Sequence, residues 1–94
     1  MVRKIFVVVA YDVGEDKRRS EVCDLLCLYG QRVNYSVFEC FLTESKFEVL
    51  YAKLIKIIDL KCDRVIFYTI CRDCQSKILR VGIAPTPGKA INVV

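Results

Sequence analysis

Histidine and tryptophan are both missing from this chain of 94 residues, and methionine occurs once. The lack of histidine excludes an imidazole acid or base and any metal site with imidazole ligands. Any hydrolysis would therefore depend on carboxylates, hydroxyls or a bound metal ion.

Long apolar runs are also missing. No run approaches the roughly 20 residues that a membrane-spanning helix requires. Arg3 and Lys4 precede only a short apolar stretch, which Asp12 interrupts, so we expect no signal peptide and no membrane partner.

The overall composition predicts one small domain. Apolar residues make up 54% of the chain, and the net charge is +4, from 15 Lys and Arg against 11 Asp and Glu. We predict a single domain over residues 1–94, with a core at 1–84 and a tail at 85–94 that could pair with a partner protomer. Because a chain so short and so apolar has limited room for a core, we expect it to bury further surface against a second copy. The mild basic charge permits contact with phosphate.

Cysteine, in contrast, is frequent, at positions 23, 27, 40, 62, 71 and 74. Since no secretory signal is expected, we favour reduced thiols in a cytoplasmic protein over disulfides. The pair Cys71-x-x-Cys74 is half of a zinc site, and no second pair has matching spacing. A redox role, a metal role and a four-thiolate zinc site assembled by two copies stand beside a purely structural role.

The stretch KIFVVVAYD, residues 4–12, organises the rest of the chain. Its unbroken β-branched and aromatic run predicts a central strand buried on both faces. It ends in Asp12, with Lys17, Arg18 and Arg19 one loop away. That arrangement could hold a cation near phosphate. Alternatively, Asp12 only ends the strand and helps to cap the next helix.

The remaining periodicities predict the element order β-α-β-β-α-β. Strands are expected at residues 3–12, 32–42, 63–71 and, briefly, 78–83, and helices at 17–29 and 44–59. The second segment contains a break or bulge near Ser36, or else two short strands. Gly30 suits the residue after the first helix, and Ser45 with Glu48 predicts a capping box for the second.

This order predicts an α+β fold, a ferredoxin-like sandwich whose antiparallel sheet carries two helices on one face. We expect a second copy to cover the other face. The apolar C-terminal residues INVV are a candidate edge strand that adds to the partner's sheet.

Three sequence blocks carry a family resemblance: VVAYDVGEDKRRSEV at 8–22, YGQRVNYSVFEC at 29–40 and DRVIFYTIC at 63–71. With their spacing they span most of residues 3–72. On these blocks the chain resembles the small CRISPR-associated nucleases known as the second universal Cas protein, partners of the spacer integrase.

The resemblance implies a symmetric homodimer that acts in CRISPR spacer acquisition. There the dimer bridges integrase subunits and binds the DNA to be inserted. The resemblance also implies metal-dependent endonuclease activity in some members, on RNA or on double-stranded DNA. Asp12 matches the family's metal-binding acid. Other matching positions, near the site or in the dimer, are Tyr11, Arg18, Arg19, Arg32, Ser36 and Phe38.

Chemistry gives each of these residues a hypothesis. Mg²⁺, with Mn²⁺ as a substitute, prefers oxygen ligands, so a two-fold dimer could supply one Asp12 from each chain. The three arginines are predicted phosphate clamps, or else solvated charges. Tyr11 and Ser36 are predicted in the catalytic site. The alternative for Tyr11 is that its ring packs at the strand end on the dimer, and for Ser36 that its hydroxyl hydrogen-bonds its own backbone at the strand break. Phe38 is predicted at the dimer interface, and the alternative is a contact with substrate.

Two other functions stay open at this point. The first is a non-catalytic, dimeric DNA-binding scaffold that bridges integrase subunits. The second is a toxin-like RNA nuclease of related fold.

Overall fold

The computed structural model describes residues 3–82. The elements are β1 (Lys4–Asp12), α1 (Asp16–Cys27), β2 (Gly30–Asn34), β3 (Val37–Thr43), α2 (Glu44–Ile57), β4 (Arg64–Ile70) and a single turn, α3 (Arg72–Gln75). This order confirms the predicted α+β, ferredoxin-like fold class. The candidate edge strand in the tail lies outside the described residues. None of the helices between residues 3 and 82 has the length and apolarity needed to span a bilayer.

The sheet has the strand order β2-β3-β1-β4, and all its neighbours are antiparallel. β1 is therefore the central strand that its apolar run predicts, paired with β3 through Val9 and Phe38 and with β4 through Val9 and Phe67. Only one of its faces is buried within the chain. Val7, Val9 and Tyr11 alternate with residues that are half-buried on the other face. The prediction of burial on both faces is thus wrong for a single chain, because no helix covers the second face within residues 3–82.

Both long helices pack on the same face of the sheet. A single cluster joins Val22 and Leu26 of α1 and Leu50 and Leu54 of α2 to the inward residues of β1 and β3. Each such side chain contributes about 1.5–3 kcal/mol when fully buried. The helices therefore hold β1 rigidly from one side and leave the opposite face, called here the open face, without a helix.

The helix ends differ in detail from the sequence prediction. Thr43 caps α2, because its hydroxyl accepts a hydrogen bond from the Lys46 N–H at 3.2 Å. Ser45 lies inside the helix, so the predicted capping box with Glu48 is wrong. Gly30 is the first residue of β2, and a Cβ there would collide with the Cys40 Sγ and the Glu39 carbonyl. Its role is the close approach of β2 to β3.

The segment after β4 does not form the predicted last strand over residues 78–82. The Ile78 N–H bonds back to the Gln75 carbonyl at 3.2 Å, so this backbone donor is used locally. Arg80 then forms a two-point ion pair with Glu39 of β3, with N–O distances of 2.7 and 2.9 Å. This side-chain contact, rather than a strand ladder, returns the segment to the sheet.

Candidate active site

Asp12 ends β1 on the open face of the sheet. Its side chain lies opposite the helices because it follows Tyr11, which is buried beneath them. It is exposed and pairs in register with Arg64 of β4. Within residues 3–82 no hydrogen bond or ion pair engages its carboxylate, and the N-cap of α1 is Glu15. The carboxylate is therefore available to a ligand, and the alternative that Asp12 caps α1 is not observed.

Tyr11 lies on the other face and supports the turn between β2 and β3. Its ring stacks on Phe38 with centroids 6.3 Å apart, and its hydroxyl donates to the Tyr35 carbonyl at 3.1 Å. Its N–H donates to the Ser36 carbonyl at 3.0 Å. Burial, followed by the neighbouring Cys23 thiol, raises the pKa of Tyr11 to about 12. The hydroxyl thus stays protonated near neutral pH, where it acts as a fixed donor.

Ser36 is carried by this turn. Tyr35 and Ser36 form the whole connection between β2 and β3, and the Tyr11 hydrogen bonds place it beside the end of β1. Within residues 3–82 the Ser36 hydroxyl has no hydrogen-bond partner. The alternative that it satisfies its own backbone is therefore not observed, and the predicted catalytic role stays a prediction.

Arg32 holds the same turn from β2. Its Nη2 donates to the Tyr35 carbonyl at 2.8 Å and its Nε to the Asn34 carbonyl at 3.3 Å. The guanidinium also lies 5.6 Å from the centre of the Tyr35 ring. Arg32 and Tyr11 thus converge on one carbonyl, and any phosphate contact by Arg32 would be made from this anchored position.

Arg18 and Arg19 brace the loop between β1 and α1. The Arg18 Nε and Nη2 donate to the two Asp63 carboxylate oxygens at 2.7 and 3.3 Å, and Nη1 pairs with Glu15 at 3.1 Å. Arg19 donates to the Val13 carbonyl at 2.9 Å and pairs with Asp16. Their predicted phosphate contacts stay predictions, and Arg18 would have to exchange a carboxylate for a phosphate.

Asp63 is the residue of this region that the sequence reasoning missed. Its side chain is fully buried and also accepts the N–H groups of Asp59 at 2.9 Å and Gly14 at 3.4 Å. The Arg18 guanidinium, followed by the Asp59 N–H, holds the pKa of this carboxyl well below its usual range. Its sequence signal was its position at the head of the block DRVIFYTIC. An acid directly before a buried strand needs a partner.

Phe38, predicted at the dimer interface, is fully buried within the single chain. It faces the helices because the turn at Tyr35 and Ser36 sets the phase of β3 from Val37 onward. It therefore offers no surface to a second copy and instead forms the floor beneath Tyr11. The structure brings Tyr11, Asp12, Arg32 and Ser36 together at one end of the sheet, and Arg18 and Arg19 lie nearby in the first turn of α1.

Comparison with known proteins gives one consistent result. A sequence profile of the family described as CRISPR associated protein Cas2 matches residues 5–78. The chain is 51% identical over 87 residues to CRISPR-associated endoribonuclease Cas2 3 of Synechocystis sp., an alignment covering 89% of this chain and 95% of that relative. It is similar to Streptococcus pyogenes Cas2, with a TM-score of 0.73, 38% identity and coverage of 82% and 99% of the two chains. It is also similar to a chain of a partial Cas6-RT-Cas1–Cas2 complex, with a TM-score of 0.71, 28% identity and coverage of 96% and 99%.

Proposed function

Since the chain belongs to the CRISPR-associated Cas2 family, we propose that it is a homodimeric endonuclease of spacer acquisition that holds a divalent metal ion at Asp12. The observation that carries the proposal is the exposed Asp12 carboxylate, which has no partner within residues 3–82 and is fixed at the end of the central strand. The endoribonuclease name of the Synechocystis relative supports a phosphodiester substrate.

The donor set suits Mg²⁺, or Mn²⁺ in its place. These ions prefer oxygen ligands and are often held by one or two carboxylates, with water completing the shell. Residues 3–82 contain no group of three or more acidic or cysteine side chains that could hold a metal. One chain therefore offers one carboxylate at this position, and a two-fold copy would offer the second. When bound, the ion supplies an activated water and neutralises charge on the phosphate.

The chain's own residues then have distinct tasks. Asp12 holds the ion, and the Ser36 hydroxyl, which is without a partner in the described residues, can donate to a phosphate oxygen. Tyr11 and Arg32 fix the turn that carries Ser36 through the Tyr35 carbonyl. Orientation of this kind lowers the barrier because the donor needs no rearrangement when charge develops. Single-stranded RNA and double-stranded DNA both present the required phosphodiester.

A second candidate function is a DNA-binding scaffold without catalysis. It is favoured by the similarity to the chain from a complex that contains Cas1 and Cas2. In this role the homodimer would bridge integrase subunits and bind duplex through phosphate contacts, so that its affinity would fall steeply with salt. Asp12 would then be dispensable.

The deciding experiment compares wild type with Asp12→Asn on single-stranded RNA and on double-stranded DNA, with Mg²⁺, with Mn²⁺ and with EDTA. The matched control is Asp24→Asn, which changes an exposed acid on α1. We expect metal-dependent cleavage by wild type and the control, and a loss of about a hundredfold or more in Asp12→Asn, since metal-ion charge stabilisation is worth several kcal/mol. Cleavage retained by Asp12→Asn would overturn the nuclease site. Duplex binding without cleavage by any of the proteins would establish the scaffold.

The dimer adds a second requirement that mixing can test. Excess Asp12→Asn would be added to wild type and the subunits allowed to exchange. If both Asp12 carboxylates bind one ion, the cleavage rate should then fall below the rate expected from dilution of the wild-type protein alone. A rate that scales only with the wild-type fraction would contradict a shared metal site, and sedimentation of each mixture would report whether dimers had formed.

A further inference from the structure

Cys71 and Cys74 lie together at the end of the sheet opposite to Asp12. Cys71 directly follows β4, and its Sγ accepts a hydrogen bond from the Cys74 N–H at 3.4 Å. The Gln75 N–H bonds to the Cys71 carbonyl at 2.9 Å and completes the helical turn. Ile70 pairs with Phe6, six residues before Asp12 on β1, which separates the two regions by about 20 Å along the strand.

The two thiols leave the same turn of the chain, because Cys71 is the N-cap of α3 and Cys74 lies within that turn. The Cys71 Sγ already contacts the backbone nitrogen of Cys74. A disulfide requires about 3.5–4.5 Å between the two Cβ atoms, so the side chains would have to turn toward each other. Both cysteines are exposed.

The two sulfurs are also unequal, as an attacking and a resolving thiol must be. Hydrogen bonds from the Cys74 N–H and thiol lower the pKa of Cys71, whereas the hydrogen bond to Cys71 raises the pKa of Cys74. Partial desolvation, followed by the nearby Asp59 and Asp63 carboxylates, raises the pKa of the Cys62 thiol. Cys71 is thus favoured as the thiolate.

A groove of about 860 Å³ opens beside Cys71. Its charged lining residues are all cations, namely Arg3, Lys4 and Arg72, and no acid among the described residues lines it. Its apolar wall, formed by Phe6 and Phe41, lies on the open face, where the second copy is expected. The part of the lining that bears on Cys71 is therefore its cations, which favour the approach of a small anion.

We propose that Cys71 and Cys74 are a reversible dithiol–disulfide pair whose oxidant is an anionic low-molecular-weight disulfide that the neighbouring cations attract. The Cys71 thiolate attacks one sulfur of that disulfide, forms a mixed disulfide and releases the first thiolate. The Cys74 thiol then loses its proton and attacks the Cys71 sulfur, which closes the protein disulfide and releases the second thiolate. Two electrons pass to the small disulfide, and the two protein protons end on the two released thiols.

The test follows oxidation of the full chain by glutathione disulfide, which is anionic, and by cystamine, which is cationic. Alkylation and peptide mass mapping would identify the oxidised cysteines. We expect oxidation to protect only Cys71 and Cys74 from alkylation. We also expect the ratio of the rate with glutathione disulfide to the rate with cystamine to be at least about tenfold higher for the folded chain than for an unfolded control peptide. Arg72→Glu should remove that preference.

Three variants complete the test. Cys74→Ser should stop at a mixed disulfide on Cys71, Cys71→Ser should react more slowly, and the control Cys62→Ser should behave as wild type. The proposal is overturned if Cys71 is alkylated no faster than Cys62, if the disulfide joins other cysteines, or if the rate ignores the charge of the oxidant. A metal site would be shown instead if zinc protected the two thiols from alkylation, a chelator released them, and their peptides showed no disulfide by mass. That result would overturn the proposal. Because the readout is thiol chemistry, failure here leaves the nuclease proposal unaffected.

Discussion

Tyr11 and Asp12 are neighbours in β1 but serve opposite faces of the sheet. Tyr11 is buried under the helices with its hydroxyl on the Tyr35 carbonyl, whereas the Asp12 carboxylate is exposed on the open face. A side chain on the helix face cannot contact a ligand that is bound by Asp12 on the open face, because the strand lies between them. We therefore propose that Tyr11 would act on the site through the turn that carries Ser36, as a positioning residue.

This relationship predicts a specific result for Tyr11→Phe. Loss of one hydrogen bond should lower the free energy of unfolding by about 1 kcal/mol. Cleavage should fall by less than about tenfold, and its pH profile should keep its shape, because a hydroxyl with a pKa of about 12 does not titrate between pH 6 and about pH 10. Denaturant unfolding and the pH dependence of the cleavage rate would measure both effects.

Tyr68→Phe is the matched control, because Tyr68 lies half-exposed on β4. It should change neither measurement. If Tyr11→Phe abolished cleavage and removed one limb of the pH profile while leaving stability intact, Tyr11 would be an acid or base in the reaction.

The ion pair between Arg18 and Asp63 predicts acid sensitivity. Because the pKa of Asp63 is lower in the folded chain than in the unfolded one, the pair contributes stability above the ordinary carboxyl pKa and loses it as the pH falls. The free energy of unfolding should therefore decline between about pH 5 and pH 2. Asp63→Asn should be less stable than wild type at pH 7 and should show a flatter decline.

Asp24→Asn again provides the comparison, as an exposed acid on α1. Unfolding would be followed by denaturant titration at each pH. Equal pH slopes for wild type and Asp63→Asn would show that the loop after β1 is not held by this charge pair.

Local patterns were enough to predict most of the fold. The unbroken run at residues 4–12 predicted the central strand, and Val22 and Leu26 have the helical spacing that buries them in α1. The predicted break near Ser36 is the two-residue turn between β2 and β3. These features depend on residues close in sequence, so they can be predicted without knowing which distant residues pack against them.

The candidate site depends on contacts between residues far apart in sequence, which local hydrophobic patterns do not reveal. The side-chain phase of residues 32–42 was ambiguous because the β2–β3 register shifts between Arg32 and Asn34, and this hid the burial of Phe38. Asp63 lies 45 residues from Arg18 and is joined to it only by the fold. Asp12 is predicted as a site residue from its place at the end of a strand, and this stays a prediction. Its proposed metal stays a hypothesis because one chain supplies one carboxylate.

Gly30 provides the last prediction, since its role in the structure differs from the one its sequence position indicated. A Cβ at Gly30 would collide with the Cys40 Sγ and the Glu39 carbonyl, whereas a Cβ at Gly14 would meet no atom within 4 Å in the described structure. Gly30→Ala should therefore cost about 1–3 kcal/mol through overpacking. Gly14→Ala should be neutral or stabilising by up to about 1 kcal/mol, because it reduces the entropy of the unfolded chain.

Thermal and denaturant unfolding of the two variants would separate the two explanations of Gly30. A helix-ending glycine with a left-handed backbone would be rescued by asparagine, which tolerates that conformation. A glycine required for close strand approach would not be, since asparagine also carries a Cβ. We expect Gly30→Asn to be at least as destabilised as Gly30→Ala, and recovery of wild-type stability by Gly30→Asn would return Gly30 to the helix-ending role.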